Sequence, residues 1–281
     1  MDVWVYINDR LIPGEEAKIS ALDLSVLRGY GVMDYLRTYG GRPFRLREHL
    51  ERFQKSAEEI GLGVPKSLEE MTTIVEEMIA RSHFKETSVK VVLTGGVSPD
   101  QYLPIGNPTF FAVSYPFKPF PQHYFEQGIK VMTESYARPF PLAKSTQYLS
   151  AIVAMQKVQK MGAVDVLFHT EEGRLLETGT ANFFAVKEGV FLTPPTSVLM
   201  GVTRQVVLEL LEGKFPVEER EIYLNEISTF DGAFLTSSNK EVMPVVQINE
   251  HTFSIPKEVR ILMQDFANFT ASFSKKSLQN I

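Results

Sequence analysis

The sequence of 281 residues contains no cysteine. Disulfide bonds, thiolate nucleophiles and cysteine-based zinc sites are therefore excluded. Only five histidines are present, and none has the H-x-x-x-H spacing of a helical metal site, so we predict no metal centre. No apolar run approaches the roughly 20 residues that a membrane-spanning helix needs. We therefore predict no membrane segment.

An excess of positive charge is also missing, because the formal net charge is −5. Nucleic acid or an anionic membrane surface is thus not the expected partner. A phosphorylated ligand remains possible, since a helix start and a few local cations suffice to bind it. The first sixteen residues lack the basic and apolar regions of a signal peptide, and we expect a cytoplasmic location. The composition, 44% hydrophobic and 22% charged, is typical of a folded globular protein.

Hydrophobic periodicity predicts a first α/β domain over residues 1–115. It opens with alternating apolar residues before an Asn-Asp turn, a pattern typical of a hairpin. A 3.6-residue period predicts helices over residues 47–60 and 68–80, with Gly61 ending the first. Alternation predicts strands at residues 32–39, 88–94 and 109–114.

Residues 116–123 contain three prolines and little hydrophobic pattern, so we predict an interdomain linker there. A second, larger domain is predicted over residues 124–281. Its predicted helices cover residues 146–160, 203–212 and 256–272, and its clearest predicted strands cover residues 129–134, 164–169 and the hairpin 183–193.

Lys144 stands in an apolar segment, F-P-L-A-K-S-T-Q-Y, directly before a predicted helix. Loss of hydration in such a setting favours the neutral amine, which is the form that attacks an aldehyde. An ordinary surface lysine at a helix start fits the same pattern. This motif alone does not choose between them.

Two other charged residues could contact a cofactor. An apolar strand leads to Glu177 in a Gly/Thr turn, where a carboxylate can keep a ring nitrogen protonated. Its alternative role is that of a hydrogen-bond acceptor within the turn. Arg52 on the first long helix could bind phosphate through its guanidinium. Pairing with Glu48 or Glu51 would explain Arg52 equally well.

Two segments suit an anion without carrying much charge. The amides of Val202 and Thr203 open a predicted helix in G-V-T-R, and such amides bind anions. The hydroxyl-rich turn T-S-S-N includes Ser237 and Ser238 between two predicted strands. A plain helix cap and a plain polar turn are the alternatives.

The order of these motifs resembles that of the class IV aminotransferases over nearly the whole chain. The shared features are Arg52, Lys144, then E-T-G-T-A-N, G-V-T-R and T-S-S-N-K-E-V-M-P-V, together with the R-G-Y-G-V-M-D and E-H-L-E-R segments. The resemblance implies an α/β fold of pyridoxal-phosphate fold type IV, with a small N-terminal α/β domain and a larger C-terminal pseudo-barrel domain. It also implies a homodimer whose site lies between the domains and receives loops from the neighbouring chain.

The resemblance further implies roles for individual residues. Lys144 would hold pyridoxal 5′-phosphate (PLP) as a Schiff base and move a proton during ping-pong exchange between an amino acid and a 2-oxo acid. Glu177 would pair with the pyridine nitrogen, and Tyr148 would contact the phenolic oxygen as in branched-chain enzymes. The residues that match phosphate ligands are Arg52, Val202, Thr203, Ser237 and Ser238.

The segments that match the family's substrate-binding residues differ from both known sequence patterns. D-alanine enzymes carry T-R-G-T-S-P-R where this chain has T-G-G-V-S-P-D, and branched-chain enzymes carry Y-x-R where it has S-V-K ending at Lys90. Arg28 stands where branched-chain enzymes place a tyrosine from the partner subunit. We hypothesise that Arg28 of the partner and Lys90 together bind the substrate carboxylate; an ion pair of Arg28 with Asp23 or Asp34 is the alternative. The other predicted substrate contacts are Met33, Ser238 and Asn239.

These features favour a transaminase of D-amino acids such as D-alanine and D-glutamate. An L-branched-chain aminotransferase is the main alternative. An aminodeoxychorismate lyase, which would eliminate pyruvate with the same lysine, and a non-catalytic PLP-binding protein are further alternatives.

Overall fold

The computed structural model describes residues 3–275, so the predicted domain ends at residues 1–2 and 276–281 lie outside it. The chain divides into two compact units. The first unit comprises the residues up to Lys118, the segment Leu142–Gln147 and the described residues from Ala271; the second comprises Pro119–Pro141 and Tyr148–Thr270. This division differs from the predicted ranges 1–115 and 124–281, which assign residues 142–147 and the chain end to the larger domain. Among the described helices, none is long and apolar enough to cross a membrane.

The first unit contains a six-stranded sheet in which every paired strand is antiparallel. Its strand order is β2-β1-β6-β5-β3-β4. The elements of this unit are β1 (Trp4–Ile7), β2 (Arg10–Pro13), α1 (Leu24–Arg28), β3 (Gly31–Tyr39), β4 (Arg42–Pro43), α2 (Leu46–Glu59), α3 (Leu68–Ser82), β5 (Thr87–Thr94) and β6 (Thr109–Pro116).

The predicted hairpin at the start of the chain is confirmed. Asn8 and Asp9 form a two-residue turn with φ of 51° and 58°, and Ile7 pairs with Arg10 across it. Positive φ at both turn residues matches the right-handed twist of the flanking strands, and asparagine and aspartate tolerate that conformation.

The helices α2 and α3 cover one face of this sheet. A capping box between Ser67 and Glu70 begins α3, and Gly61, with φ of 74°, follows the end of α2. Apolar residues of both helices and of alternate strand positions form one buried cluster. Met33, Tyr35 and Lys90 occupy the intervening strand positions, so they belong to the opposite face. The buried cluster includes Val32, Leu36, Leu50, Phe53, Met71, Val75, Met78, Val89, Val91 and Leu93.

The segment Leu142–Gln147 belongs to the first unit because it pairs with β3. The backbone N–H of Met33 donates to the carbonyl of Lys144 at 2.8 Å, and that of Thr146 donates to the carbonyl of Gly31 at 2.9 Å. This extended pairing keeps residues 144–146 out of a helix. The helix predicted from residue 146 therefore begins only at Leu149.

The second unit contains a nine-stranded sheet with the order β12-β11-β10-β13-β14-β7-β8-β9, to which β15 is added beside β14. The elements are α4 (Gln122–Gln127), β7 (Ile129–Ser135), α5 (Leu149–Gln159), β8 (Asp165–His169), β9 (Leu175–Thr178), β10 (Asn182–Lys187), β11 (Val190–Thr193), α6 (Val202–Leu211), β12 (Val217–Glu219), a 3-10 helix (Leu224–Thr229), β13 (Gly232–Ser237), β14 (Glu241–Ile248), β15 (His251–Thr252) and α7 (Lys257–Lys275).

This sheet closes on itself, because β9 also pairs with β10 at Glu177 and Asn182. Six strands, β10, β13, β14, β7, β8 and β9, thus form a ring, in agreement with the predicted pseudo-barrel. A single buried cluster joins side chains from all six strands. It includes Val131, Leu167, Leu175, Phe183, Leu235 and Met243.

The boundary between the two units, at Lys118 and Pro119, falls within the predicted linker over residues 116–123. Pro116 ends β6, the second unit starts at Pro119, and α4 begins at Gln122. Phe120 and Tyr124 pack against the buried cluster of the second unit. Burial of these aromatic side chains gives the proline-rich stretch a fixed place in that unit.

Candidate active site

Lys144 is held at its backbone between two elements of the first unit. Its N–H donates to the hydroxyl of Ser56 on α2 at 3.1 Å, and its carbonyl accepts the Met33 N–H of β3 at 2.8 Å. The residue is half-buried. Its Cα position is therefore fixed by a helix and a strand, although it lies outside regular secondary structure.

Arg52 lies in a buried charge network that the sequence did not predict. Its Nε and Nη2 donate to the two carboxylate oxygens of Asp34, each at 2.8 Å, and Nδ1 of His49 lies 2.7 Å from Asp34 Oδ1. Glu48 and Glu51, the partners suggested from the sequence, pair with Arg45 and Arg47.

Within this network the pKa values of Asp34 and His49 are shifted. Burial alone would raise the pKa of the Asp34 carboxyl, but the charges of Arg52 and His49 and their hydrogen bonds hold it well below its usual range. Burial lowers the pKa of His49, and the charges of Arg52 and Lys144 add to that shift although Asp34 opposes it. The backbone N–H of Lys144 donates to Ser56, which lies one helical turn after Arg52 on α2, so the structure brings these two predicted residues together.

One face of the first unit's sheet carries the predicted substrate residues Met33 and Lys90. Lys90 is half-buried on β5 directly opposite Tyr35 on β3, and Met33 is two residues before Tyr35. The hydroxyls of Tyr35 and Ser88 lie 2.9 Å apart. Burial raises the pKa of Tyr35. Sequence reasoning missed Tyr35, although strand alternation places it on the face of Met33 and Lys90.

Arg28 is exposed at the end of α1 and donates only to the carbonyl of Leu27, at 3.1 Å, within the described part of the chain. The suggested ion pair with Asp23 or Asp34 is not formed. Asp23 accepts hydrogen bonds from the Ser25 N–H and the Thr94 hydroxyl, and Asp34 is held by Arg52 and His49.

Glu177 is the penultimate residue of the short strand β9 in the second unit and is 7% exposed. It forms an ion pair with Arg138, and it accepts hydrogen bonds from the Leu199 N–H at 3.0 Å and from Asn182 Nδ2 at 3.1 Å. The local turn is stabilised by Thr178, whose hydroxyl accepts from two following backbone N–H groups. The backbone N–H groups of Thr180 and Ala181 therefore bond to Thr178 rather than to Glu177. Sequence reasoning missed Arg138, which precedes Lys144 by six residues.

The start of α6 lies against Asn182. Gly201 is the N-cap, no side chain caps the helix, and both Val202 and Thr203 are buried. A Cβ at Gly201 would overlap Asn182 Oδ1, and Asn182 Nδ2 also donates to the Leu199 carbonyl at 2.7 Å. Buried amides at an uncapped helix start suit an anion such as phosphate.

The turn that carries Ser237, Ser238 and Asn239 lies at the same edge of the second unit. Thr236, which precedes it, pairs with Asn182 on the neighbouring strand. The Ser237 hydroxyl donates to Asn239 Oδ1 at 2.8 Å. The second unit thus brings Glu177, the start of α6 and the hydroxyl-rich turn together.

Tyr148 is half-buried at the N-terminus of α5, and its carbonyl accepts the Ile152 N–H at 2.8 Å. A Cβ at Gly179 would lie 3.1 Å from the Cβ of Ala151 on the same helix. The start of α5 therefore approaches the turn that follows Glu177. Among the described residues, no group of three histidine, aspartate or glutamate side chains could hold a metal ion.

Comparison with known proteins identifies the fold family. Residues 31–248 match the family model described as amino-transferase class IV. The chain belongs to the class IV aminotransferases. It is 32% identical over 255 residues to a putative branched-chain-amino-acid aminotransferase of Methanocaldococcus jannaschii, with 87% of this chain and 88% of that protein covered. It is 28% identical over 280 residues to the D-alanine aminotransferase of Staphylococcus epidermidis, with 96% and 99% covered.

A solved structure supports the same assignment. The branched-chain aminotransferase from Thermoproteus uzoniensis with norvaline matches with a TM-score of 0.89 and 27% identity, covering 98% of this chain and 97% of that one. The transaminase has the mixed α/β architecture of fold type IV, as predicted. Enzymes of this family depend on PLP, so the predicted reaction class and cofactor are confirmed. One of the two relatives is named for branched-chain amino acids and the other for D-alanine.

Proposed function

We propose that this transaminase exchanges the amino group of D-amino acids, such as D-alanine and D-glutamate, with 2-oxo acids. The observation that carries this proposal is the position of Lys90. It is a half-buried cation on the sheet face of Met33, whose backbone N–H holds the Lys144 carbonyl. A half-buried cation on this face suits a substrate carboxylate.

In the first unit, Lys144 would hold the cofactor covalently through Nζ, and Arg52 would bind its phosphate. The bidentate contact with Asp34 fixes the plane of the Arg52 guanidinium before any ligand arrives. A pre-oriented group loses less conformational entropy on binding. When bound, PLP supplies an electron sink for the electrons of the broken Cα–H bond. Lys144 Nζ would remove that proton from the substrate Cα.

In the second unit, Glu177 would pair with the protonated ring nitrogen, and Tyr148 would contact the phenolic oxygen. The amides of Val202 and Thr203 would bind the phosphate together with the hydroxyls of Ser237 and Ser238. The buried, uncapped helix start fits this role. Asn239 and Ser238 would also contact the substrate.

Arg28 would bind the substrate carboxylate of the partner subunit together with Lys90. Its exposure and its lack of a carboxylate partner in the described chain support this role. A homodimer would also cover apolar side chains that each unit exposes. In the first unit these are Leu22, Val26, Tyr102, Leu103 and Ile105, and on α5 they are Leu149, Ile152 and Val153.

An L-branched-chain aminotransferase is the second candidate. Tyr148 favours it, because branched-chain enzymes place a tyrosine at the matching position. The 32% identical relative and the Thermoproteus structure are also named for that activity. Those enzymes carry a Y-x-R triplet where this chain has S-V-K. The absence of the triplet supports the D-amino-acid proposal instead.

The two candidates are separated by following the bound cofactor's absorbance as single substrates are added. We expect D-alanine and D-glutamate to convert the cofactor at least tenfold faster than L-leucine and L-glutamate, which corresponds to about 1.4 kcal/mol in the barrier. Faster conversion by L-leucine would contradict the proposal and establish the second candidate. Pyruvate released from aminodeoxychorismate without a 2-oxo acid would identify the lyase. An (R)-amine in the same series tests whether a carboxylate is required.

A further inference from the structure

Lys240 is a buried cation of the second unit for which the proposed function has no role. It is 4% exposed and follows Ser237, Ser238 and Asn239 in the turn between β13 and β14. Its Nζ donates to the Thr180 hydroxyl at 2.7 Å.

The charge of Lys240 is balanced by Asp165. Nζ of Lys240 lies 3.1 Å from Oδ2 of Asp165, and the Asp165 side chain is 2% exposed. Asp165 Oδ1 accepts the Val166 N–H at 2.8 Å, whereas Oδ2 has no hydrogen bond of good geometry among the described residues. The buried carboxylate oxygen therefore depends on the charge of Lys240. Because the pair is neutral overall, Lys240 does not add net positive charge to its surroundings.

Lys240 instead links two turns. Its own turn, the phosphate turn, contains Ser237–Asn239, and Thr180 lies in the ring-nitrogen turn, residues 178–181, which follows Glu177. Hydrogen bonds between β10 and β13 align the strands as far as Asn182 and Thr236, where the ladder ends. Beyond that point the Lys240–Thr180 hydrogen bond connects the two turns.

We propose that Lys240 is a positioning residue that sets the distance between the phosphate turn and the ring-nitrogen turn. This inference rests on the proposed function, which assigns the cofactor's phosphate to one turn and its ring nitrogen to the other. Lys240 itself does not contact the cofactor. Loss of the link displaces Ser237 and Ser238 from the amides of α6, so a phosphorylated ligand loses more affinity than the same ligand without phosphate.

The test measures the Kd of the apoprotein for PLP and for pyridoxal, which lacks the phosphate, by spectroscopic titration. The variants are Lys240→Met, the neutral double variant Asp165→Asn/Lys240→Met, and Thr180→Val. We expect the Kd for PLP to rise about tenfold, as for the loss of a charge-assisted hydrogen bond, and the Kd for pyridoxal to change less than about twofold. Lys214→Met is the matched control, since Lys214 forms an exposed pair with Asp265 at 2.8 Å.

Equal changes in both Kd values, or no change in their ratio, would overturn the inference, because a purely structural lysine affects both ligands alike. If Lys240→Met fails to fold with Asp165 left unpaired, the other two variants decide the outcome, since neither leaves a buried charge alone. A wild-type protein that binds no PLP would contradict the proposed function. Wild-type binding with an unchanged ratio in the variants contradicts only the role of Lys240.

Discussion

Arg52 binds Asp34 through two hydrogen bonds of 2.8 Å, one from Nε to Oδ2 and one from Nη2 to Oδ1. Asp34 follows Met33 on β3, and the Met33 N–H holds the carbonyl of Lys144. One strand therefore positions both the proposed phosphate arginine and the proposed reactive lysine. The first prediction concerns this link.

Asp34→Asn should destabilise the protein strongly. It removes the carboxylate on which Arg52 and His49 depend, and breaking a buried ion pair costs about 3–5 kcal/mol of unfolding free energy. Urea unfolding measures the loss. The exposed carboxylate of Asp9, which pairs with Lys66 at 2.7 Å, supplies the control, and Asp9→Asn should change stability little. Equal losses in the two variants would show that the buried network does not contribute as described.

His49 should make stability depend on pH. Burial lowers its pKa in the folded state, so the unfolded chain takes up a proton near pH 6.5 when the folded chain does not. The stability from this group is present above about pH 6.5 and falls below it, by up to about 1.4 kcal/mol per pH unit. Urea unfolding at a series of pH values should show this slope in the wild type and a smaller one in His49→Asn. His251→Gln, at a part-exposed histidine, should keep the wild-type slope.

Arg138→Met should impair catalysis through Glu177. The substitution removes the cation that pairs with the buried Glu177 carboxylate, which disturbs the position of Glu177 and weakens its hold on a ring N–H. We expect kcat to fall about 10- to 100-fold. Arg138→Lys keeps the charge and should lose less. An unchanged kcat in Arg138→Met, measured beside Arg138→Lys, would contradict this role.

Gly201→Ala should weaken cofactor binding. The added Cβ would overlap Asn182 Oδ1, so Asn182 or the start of α6 must move. The backbone of Gly201, with φ of −68°, already suits alanine, so the effect is steric. The Kd for PLP should rise about tenfold or more. Gly63→Ala is the control, because a Cβ there meets no atom within 4 Å; similar Kd values for the two variants would refute the steric account.

Arg28→Gln should raise KM for amino acids much more than for a simple amine, because only the amino acid has a carboxylate to bind. The expected increase is about tenfold for the amino acid. Arg10→Gln, at another exposed arginine of the first unit, should leave both KM values unchanged. Equal effects of Arg28→Gln on the two substrates would rule out its role as a carboxylate ligand.

The elements with local signals were predictable from the sequence. The apolar period and Gly61 predicted α2, and the Asn-Asp turn predicted the first hairpin, because helix ends and tight turns depend on a few adjacent residues. The proline-rich segment was predicted as a linker, and the boundary between the two units falls within it. Prolines mark the absence of regular structure, but they do not report that Phe120 is packed against a distant cluster.

The partners of the site residues were not predictable. Asp34 is 18 residues from Arg52, and Glu177 is 39 residues from Arg138. Only the folded sheet and helices bring these pairs together, so each charge has several plausible partners in the sequence. The same holds for Lys144, whose pairing with β3 spans more than one hundred residues.

The most direct test of the account identifies the residue that binds the cofactor. The protein is incubated with PLP, reduced with borohydride to fix the covalent bond, digested and analysed by mass spectrometry. The account predicts the reduced pyridoxyl adduct on Lys144 and its disappearance in Lys144→Ala. An adduct on another lysine, or activity retained in Lys144→Ala, would contradict it.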